Sequence, residues 1–170
     1  VGLQRLRQTL LDQAPERVPV SQRDLLSPLL EVVQCEALSA PFTNLALDVL
    51  HKVLMLGLID SSQAGARDAM DALVAAVTQC RFESVDSESD ELVIAAVFQV
   101  ILSALHNAHA LLNDDAVGRI VEACVALNGH NVKLSEQLRG LAEQTLLNVV
   151  HAVFRQLHSI DLGIMSEACL

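Results

Sequence analysis

The chain has 170 residues, which is long enough for one domain or a compact repeat array with a substantial core. Its formal net charge is −10, and its 11 lysine and arginine residues form no basic stripe. That charge and the lack of tryptophan and tyrosine argue against the basic and aromatic surfaces with which proteins bind nucleic acid. The same charge disfavours direct attraction to anionic lipid. Apolar residues make up 52% of the chain, so we expect some apolar surface to remain for a partner.

The first part of the chain predicts two helices separated by a linker. Residues 1–13 carry leucines on one face and predict a short amphipathic helix, which Pro15 and Pro19 end. Ser27 and Pro28 then resemble the start of a helix, with serine as the N-cap and proline at the first helical position. A longer helix kinked at Pro28 fits the same stretch.

Two more helices precede the middle of the chain. Residues 39–41 open the first of them, and Gly57 stops it. We expect this helix to be largely buried through Leu45, Leu47, Val49, Leu50, Val53, Leu54 and Leu56. The second spans Gly65–Gln79, and its inward residues are Met70, Leu73, Val74 and Val77.

The central element is the uncharged apolar run from Leu92 to Leu105. Its apolar residues fall on every side of a 3.6-residue period, so a helix made from it must be covered on all sides. The run is too long for a buried strand and, at about 14–16 residues, shorter than a membrane span. We therefore predict a central helix over Glu91–His106, capped by Ser89, with the other helices packed around it.

Two helices follow the central one. Asn113 or Asp114 caps the first, and 128–131 form a turn before the second, which spans Leu134–His158. The apolar face of the first carries Val117, Ile120, Val121, Cys124 and Leu127. Residues 161–163 break the helical pattern, so we expect a tail or the start of another element after them.

The helices repeat in pairs every 45 or so residues, which is typical of armadillo and HEAT repeats. The pairs are 27–37 with 41–57, 65–80 with 90–106, and 114–128 with 132–158. The sequence therefore predicts an all-α fold of armadillo/HEAT-like stacked helical hairpins, an α-solenoid of six to seven helices. We divide the chain into an N-terminal helix and linker (1–20), a helical repeat domain (21–158) and a tail (159–170).

The four cysteines support a repeat and not a disulfide framework. Cys35, Cys80, Cys124 and Cys169 are spaced by 45, 44 and 45 residues, and no pair has the C-x-x-C pattern. We interpret each as a small buried apolar residue with a free thiol.

Motifs for catalysis or metal binding are incomplete. His106 and His109 are three residues apart, but no carboxylate or thiol completes a ligand set, so we interpret them as solvent-facing histidines at a helix end. In 86–90 every second residue is acidic, as at the start of a calcium-binding loop. That loop needs glycine at its sixth position and glutamate at its twelfth, where this chain has Glu91 and Val97. With no nucleophile elbow and no glycine-rich phosphate loop, we predict no catalytic residue, no metal site and no cofactor.

Two charged residues admit a sharper interpretation. Lys52 is the basic residue of an otherwise apolar helix, and Glu91 begins the central helix. In one interpretation each is an ordinary surface charge, which contributes little to the stability of the fold. Alternatively, the two pair across an interface, where partial burial would give them a role in specificity.

Several stretches resemble the N-terminal region of the large Arf guanine-nucleotide exchange factors of the GBF/Gea class. The resemblance begins at 29–33 and 45–60, strengthens at 76–78 and in RFESVDSESDELV (81–93), and resumes between 134 and 154. It covers roughly 25–158 and includes ordered polar residues in loops as well as apolar residues in helices.

In that family this region is the DCB domain, named for dimerisation and cyclophilin binding. The resemblance implies an armadillo-like regulatory module without catalytic activity, which self-associates, contacts the following HUS region and helps to recruit the enzyme to Golgi or ER–Golgi intermediate membranes. Implied partners are a second copy, the HUS region, Arf-like or Rab small GTPases, and cyclophilin. The family pattern links a lysine at Lys52 and a glutamate at Glu91 with dimerisation.

Two other functions are alternatives to this one. One is an independent HEAT- or armadillo-like scaffold without a link to Arf exchange, and the other is an enzyme, which the missing motifs disfavour. The chain carries no signal or transit peptide, so we expect it in the cytosol, peripheral to membranes and not inserted in them. It begins Val1-Gly2-Leu3 and ends within a pattern, which suggests a piece of a longer protein.

Overall fold

The computed structural model describes residue 4 and residues 21–59, 61–62, 65–81, 87–128 and 135–167. Six α-helices and one short 3₁₀ helix make up this part of the chain, and it contains no strand. The α-helices are α1 (Gln22–Val33), α2 (Ala40–Met55), α3 (Ala66–Thr78), α4 (Ser87–Asn107), α5 (Asp114–Asn128) and α6 (Glu136–Glu167), and the 3₁₀ helix is His109–Leu111. The predicted helix over 1–13 and its linker lie outside the described residues.

The helices form three hairpins stacked in two layers. α1 packs on α2, α3 on α4, and α5 on α6. Within the first layer α3 lies between α1 and α5, and within the second layer α4 lies between α2 and α6. The first helices of the three hairpins begin 44 and 48 residues apart. The predicted all-α stack of helical hairpins is therefore confirmed, with the predicted pairs.

Helix α4 is the centre of the core, as its apolar run predicts. It contacts α2, α3 and α6, so neighbours lie on several of its sides. Its buried residues are Val93, Ala96, Phe98, Val100, Ile101, Ser103, Ala104 and Leu105. The 19 residues from Ser89 to Asn107 are long and apolar enough to span a membrane by composition, but here they form the core helix of the stack.

The boundaries of α1 and α4 differ from the predicted ones. α1 begins at Gln22 and runs through Pro28, so the longer of the two alternatives is correct and Ser27 is not its cap. Proline is tolerated there although it donates no hydrogen bond to Asp24, because burial of Pro28 between apolar neighbours compensates in part. α4 begins at Ser87, one turn before the predicted start, so Ser89 lies inside the helix.

The prediction that Gly57 ends α2 is confirmed, and the backbone at Gly57 shows how. Gly57 has a φ of +63°, which glycine adopts without the strain that a side chain brings. Its N–H donates to the Leu54 carbonyl oxygen and the Leu58 N–H donates to the Val53 carbonyl oxygen, both at 3.1 Å. These two bonds form a Schellman motif, which closes the end of the helix.

Asn113 is the cap of α5, one of the two predicted candidates. Its side-chain Oδ1 accepts a hydrogen bond from the Ala116 N–H at 2.7 Å, and its Nδ2 donates to Asp71 Oδ2 on α3 at 2.7 Å. One side chain therefore starts α5 and ties it to α3 within the first layer.

The predicted break at 161–163 is wrong. α6 has 32 residues and its backbone remains helical through Gly163 to Glu167, whereas the predicted helix ends at His158. An isolated glycine costs a helix only about 1 kcal/mol, which neighbouring residues of good helix propensity offset. The helix is much longer than α5, so its last turns extend past its hairpin partner.

Candidate interaction surface

Lys52 and Glu91 both lie on the second layer but do not meet within the chain. Lys52 is on α2 with 65% of its side chain exposed, and its Nζ donates to Asp48 Oδ2 at 2.6 Å. Glu91 is half-buried in the first turns of α4. Since an exposed i,i+4 ion pair contributes only about 0.3–0.5 kcal/mol, Asp48 leaves Lys52 free to exchange partners.

A polar contact fixes how α2 lies along α4. His51 Nδ1 and Ser103 Oγ are 2.7 Å apart, and the Ser103 hydroxyl donates to the Gln99 carbonyl oxygen at 2.9 Å. Since that hydroxyl has a single proton, His51 Nδ1 is the donor to Ser103. The bond places Lys52 beside the C-terminal half of α4, far from Glu91 at its start.

The exposed side of the second layer carries several large apolar side chains. We call it the second-layer face and define it by Leu45, Lys52 and Met55 on α2 and by Leu92, Gln99 and His106 on α4, all of them exposed. Leu45 is 62% exposed and Leu92 is 59% exposed. Contiguous exposed apolar side chains are typical of surfaces that bind another protein.

Leu45 and Leu56 are exposed, so the prediction that they help to bury α2 is wrong. Leu56 is 72% exposed, and Phe42 and Leu58 are also exposed nearby. The buried residues of α2 are Ala40, Thr43, Ala46, Leu47, Leu50 and Leu54. These follow one helical stripe, and Leu45 and Lys52 lie on the opposite side of the helix. A helical wheel divides these residues into two sets, but it does not show which set is covered.

A second apolar stripe follows α6, at the end of the stack. Its exposed residues are Leu147, Val150, Val153 and Phe154. The buried residues of the same helix, Leu138, Ala142, Thr145 and Val149, occupy another side. We call the exposed stripe the α6 edge. Exposed apolar stripes of this kind are typical of surfaces that bind another protein or a further repeat.

Two grooves border the second-layer face. One, of about 400 Å³, lies between α4 and α6 and is lined by Glu91, Leu92 and Ala95 opposite Leu138 and Leu141. The other, of about 340 Å³, lies between α2 and α4. Its lining includes His51, Met55, Gln99, Leu102 and His106. Glu91 therefore sits at the border of an open groove and not in the closed core.

Titratable groups show no catalytic arrangement in the described part of the chain. His106 is exposed and its Nδ1 donates to the Leu102 carbonyl oxygen at 2.7 Å. Among the described residues no group of three or more histidine, cysteine, aspartate or glutamate side chains is placed to hold a metal ion. Of the stretch 86–90 that resembles the start of a calcium loop, residue 86 lies outside those residues and 87–90 form the first turn of α4.

The cysteines that the structure describes carry free thiols, as predicted. Cys35 and Cys80 are half-buried and Cys124 is buried. Burial raises the pKa of the Cys80 and Cys124 thiols to about 11. Both thiols are therefore protonated and poorly reactive at neutral pH. Cys169 lies outside the described residues.

A family model and several relatives match this chain. The model of the Mon2/Sec7/BIG1-like dimerisation and cyclophilin-binding domain, DCB, matches residues 2–160. The Arf guanine-nucleotide exchange factor GNOM of Arabidopsis thaliana is 33% identical over 137 residues, which is 80% of this chain and 9% of GNOM. Arf guanine-nucleotide exchange factor 2 of Saccharomyces cerevisiae is 31% identical over 138 residues, 81% of this chain and 9% of the relative.

The chain belongs to the DCB family. This confirms the resemblance drawn from the sequence. It also confirms that the segment is not an enzyme, because the DCB domain is a non-catalytic, dimerisation and regulatory region of Arf exchange factors.

The DCB segment is a small part of the relatives it matches. A third relative, the Golgi-specific brefeldin A-resistance guanine nucleotide exchange factor 1 homolog of Caenorhabditis elegans, is 31% identical over 150 residues, 87% of this chain and 8% of the relative. The chain thus spans about a tenth of the length of these curated proteins. Their shared link to exchange factors favours a regulatory segment over an independent scaffold.

Proposed function

We propose that this DCB segment is a regulatory and self-association module of a Golgi Arf guanine-nucleotide exchange factor. It acts through a homodimer, through contact with the HUS region of the parent chain, and through recruitment of that chain to Golgi or ER–Golgi intermediate membranes. The observation that carries the proposal is the second-layer face, an exposed apolar surface on a domain whose family is named for dimerisation.

The charges on this face suit a two-fold homodimer. In a two-fold interface, residue i of one copy contacts residue j of the other, and j contacts i in return. Lys52 lies on this face and Glu91 at its border near the other end of α4, so a two-fold axis between them brings Lys52 of each copy to Glu91 of the other. Each such pair becomes partly desolvated among Leu45, Met55 and Leu92, which strengthens it relative to an exposed pair.

Charge reversal tests this dimer. We expect Lys52→Glu alone, or Glu91→Lys alone, to weaken self-association by roughly tenfold or more, because either change places like charges together at both pairs. The double variant K52E/E91K should recover most of the affinity, since opposite charges then meet again. Light scattering coupled to gel filtration, over a concentration series at low salt, measures the molar mass.

The double variant serves as the control for folding and for net charge, because it has the same composition as the unmodified chain. If both single variants and the double variant dimerise like the unmodified chain, Lys52 and Glu91 are ordinary surface charges. A monomer at every concentration for all four proteins rejects self-association of the segment itself.

Small GTPases and cyclophilin are the remaining proposed partners. We propose that an Arf-like or Rab GTPase, bound through the same module, helps recruitment, while exchange chemistry belongs to the rest of the parent chain. The DCB segment alone should therefore leave the rate of nucleotide release from Arf at its intrinsic value. A fluorescent guanine nucleotide loaded on Arf reports that rate, and acceleration by the segment contradicts the assignment.

A further inference from the structure

The groove between α2 and α4 contains two histidine rings, and their hydrogen bonds assign the tautomer of each. His106 Nδ1 lies 2.7 Å from the Leu102 carbonyl oxygen, which only accepts, so Nδ1 carries the proton. His51 Nδ1 donates to Ser103 Oγ, because the proton of that hydroxyl goes to the Gln99 carbonyl oxygen. In a neutral ring protonated on Nδ1, Nε2 has a free lone pair, so each ring offers one nitrogen ligand.

Both rings are anchored on the same stretch of α4. The Gln99 carbonyl group holds the His51 ring through Ser103, and the Leu102 carbonyl group holds the His106 ring directly. These two carbonyl groups are three residues apart, or about 4.5 Å along the helix axis. Both histidines line the groove of about 340 Å³, so their Nε2 atoms belong to one small space that is open to solvent.

A sulfur atom lies in the same groove. Met55 is one helical turn after His51 on α2, and its side chain is exposed. Its Sδ lies 3.5 Å from Asn107 Nδ2, and Asn107 directly follows His106 on α4. The thioether and both imidazole rings therefore line one end of the groove, although they come from two helices.

We propose that His51 Nε2, His106 Nε2 and Met55 Sδ bind a copper(I) ion in this groove. Imidazole nitrogen and thioether sulfur suit copper(I), whereas magnesium and calcium require oxygen ligands. Among the described residues that line the groove there is no carboxylate. Zinc sites use thiolate, imidazole or carboxylate ligands, and a thioether is not among them.

The hydrogen bonds of the two rings favour metal binding over ordinary surface histidines. A histidine that binds a metal through one nitrogen usually donates a hydrogen bond from the other, which fixes the ring and its tautomer. His51 and His106 each make such a bond before any ion is present. Spacing in the sequence pairs His106 with His109, whereas the fold brings His51 from another helix into the groove of His106.

Nitrogen-15 NMR of the histidine rings in the whole chain tests the site, because it separates ring binding from binding to the four cysteines. Copper(I) is added as its acetonitrile complex under nitrogen, to an excess over the thiols. We expect the Nε2 signals of His51 and His106 to shift together, with the methyl signal of Met55. His151 is exposed on α6 outside the groove, and its signal should stay in place.

Three variants assign the signals and test the ligands. His106→Gln should weaken binding by roughly tenfold or more, seen as loss of the His51 shift, because removing a ligand costs at least as much affinity as removing the group that orients it. Met55→Leu should weaken binding several-fold. His151→Gln is the matched control and should leave both shifts unchanged. All three residues are exposed, and far-UV circular dichroism checks that the variants remain helical.

Joint shifts of His51 and His106 that H106Q abolishes and H151Q preserves support the site. Equal shifts at His151 show unselective binding and overturn it. Unchanged His51 and His106 signals in the presence of excess copper(I) overturn it as well. A response that M55L leaves unaltered contradicts the proposed ligand set.

Discussion

Replacing Phe98 with alanine should lower the free energy of unfolding by about 3–5 kcal/mol. Among the described residues Phe98 is the largest fully buried side chain, with 0% exposure, and it belongs to α4, which packs on α2, α3 and α6. The substitution removes a whole ring and leaves a cavity that the flanking helices cannot fill, because they are held by their own hairpins.

Phe154→Ala is the matched control for that substitution. It is the same chemical change on another helix, but Phe154 is 66% exposed, so we expect a loss below about 1 kcal/mol. Urea unfolding followed by far-UV circular dichroism measures both, since the chain has no tryptophan or tyrosine for fluorescence. Equal losses in the two variants are incompatible with α4 as the centre of the core.

Charging the α6 edge should weaken contact with the HUS region, which we propose to dock on that edge. We expect the double variant L147E/F154E to weaken binding of the HUS region, added as a separate polypeptide, by about 100-fold or more, or roughly 3 kcal/mol. Leu147 and Phe154 are exposed apolar side chains, and a carboxylate in their place loses its hydration when the surface is covered. Isothermal titration calorimetry measures the affinity.

Val125→Glu is the control for the α6 edge. Val125 is also an exposed apolar residue, but it belongs to α5 in the first layer. This variant should bind the HUS region like the unmodified segment. If V125E weakens binding as much as L147E/F154E does, the effect comes from added negative charge, and the α6 edge is not the docking surface.

The architecture was predictable because its signals are local and strong. The uncharged run 92–105 requires cover on several sides, which predicts a central helix, and Gly57 supplies the positive φ that a Schellman motif needs. The period of about 45 residues then arranges the helices in hairpins, so the pairing followed without knowledge of any contact.

The helix ends and the burial of individual leucines were not predictable in the same way. Gly163 predicts the end of a helix, yet one residue of low helix propensity does not end a helix as long as α6. Leu45 and Leu47 are the same residue type two positions apart, and one is exposed while the other is fully buried. Which side of α2 is covered depends on where α1 and α4 pack, and that is a property of the tertiary structure.

The two site residues came from a family pattern, and the structure supplies their setting. Composition and spacing mark Lys52 and Glu91 only as isolated charges. The exposed apolar side chains around them, Leu45, Met55 and Leu92, turn an isolated charge into part of a surface that a partner can cover. Their assignment to the dimer stays a prediction.

Hydrogen–deuterium exchange at protein concentrations above and below the dimerisation midpoint tests the central claim most directly, because it shows which helices a second copy covers. The account predicts slower exchange at the higher concentration in peptides from α2 and α4, with peptides from α1, α3 and α5 unchanged. Added protection confined to α1, α3 and α5 would contradict it.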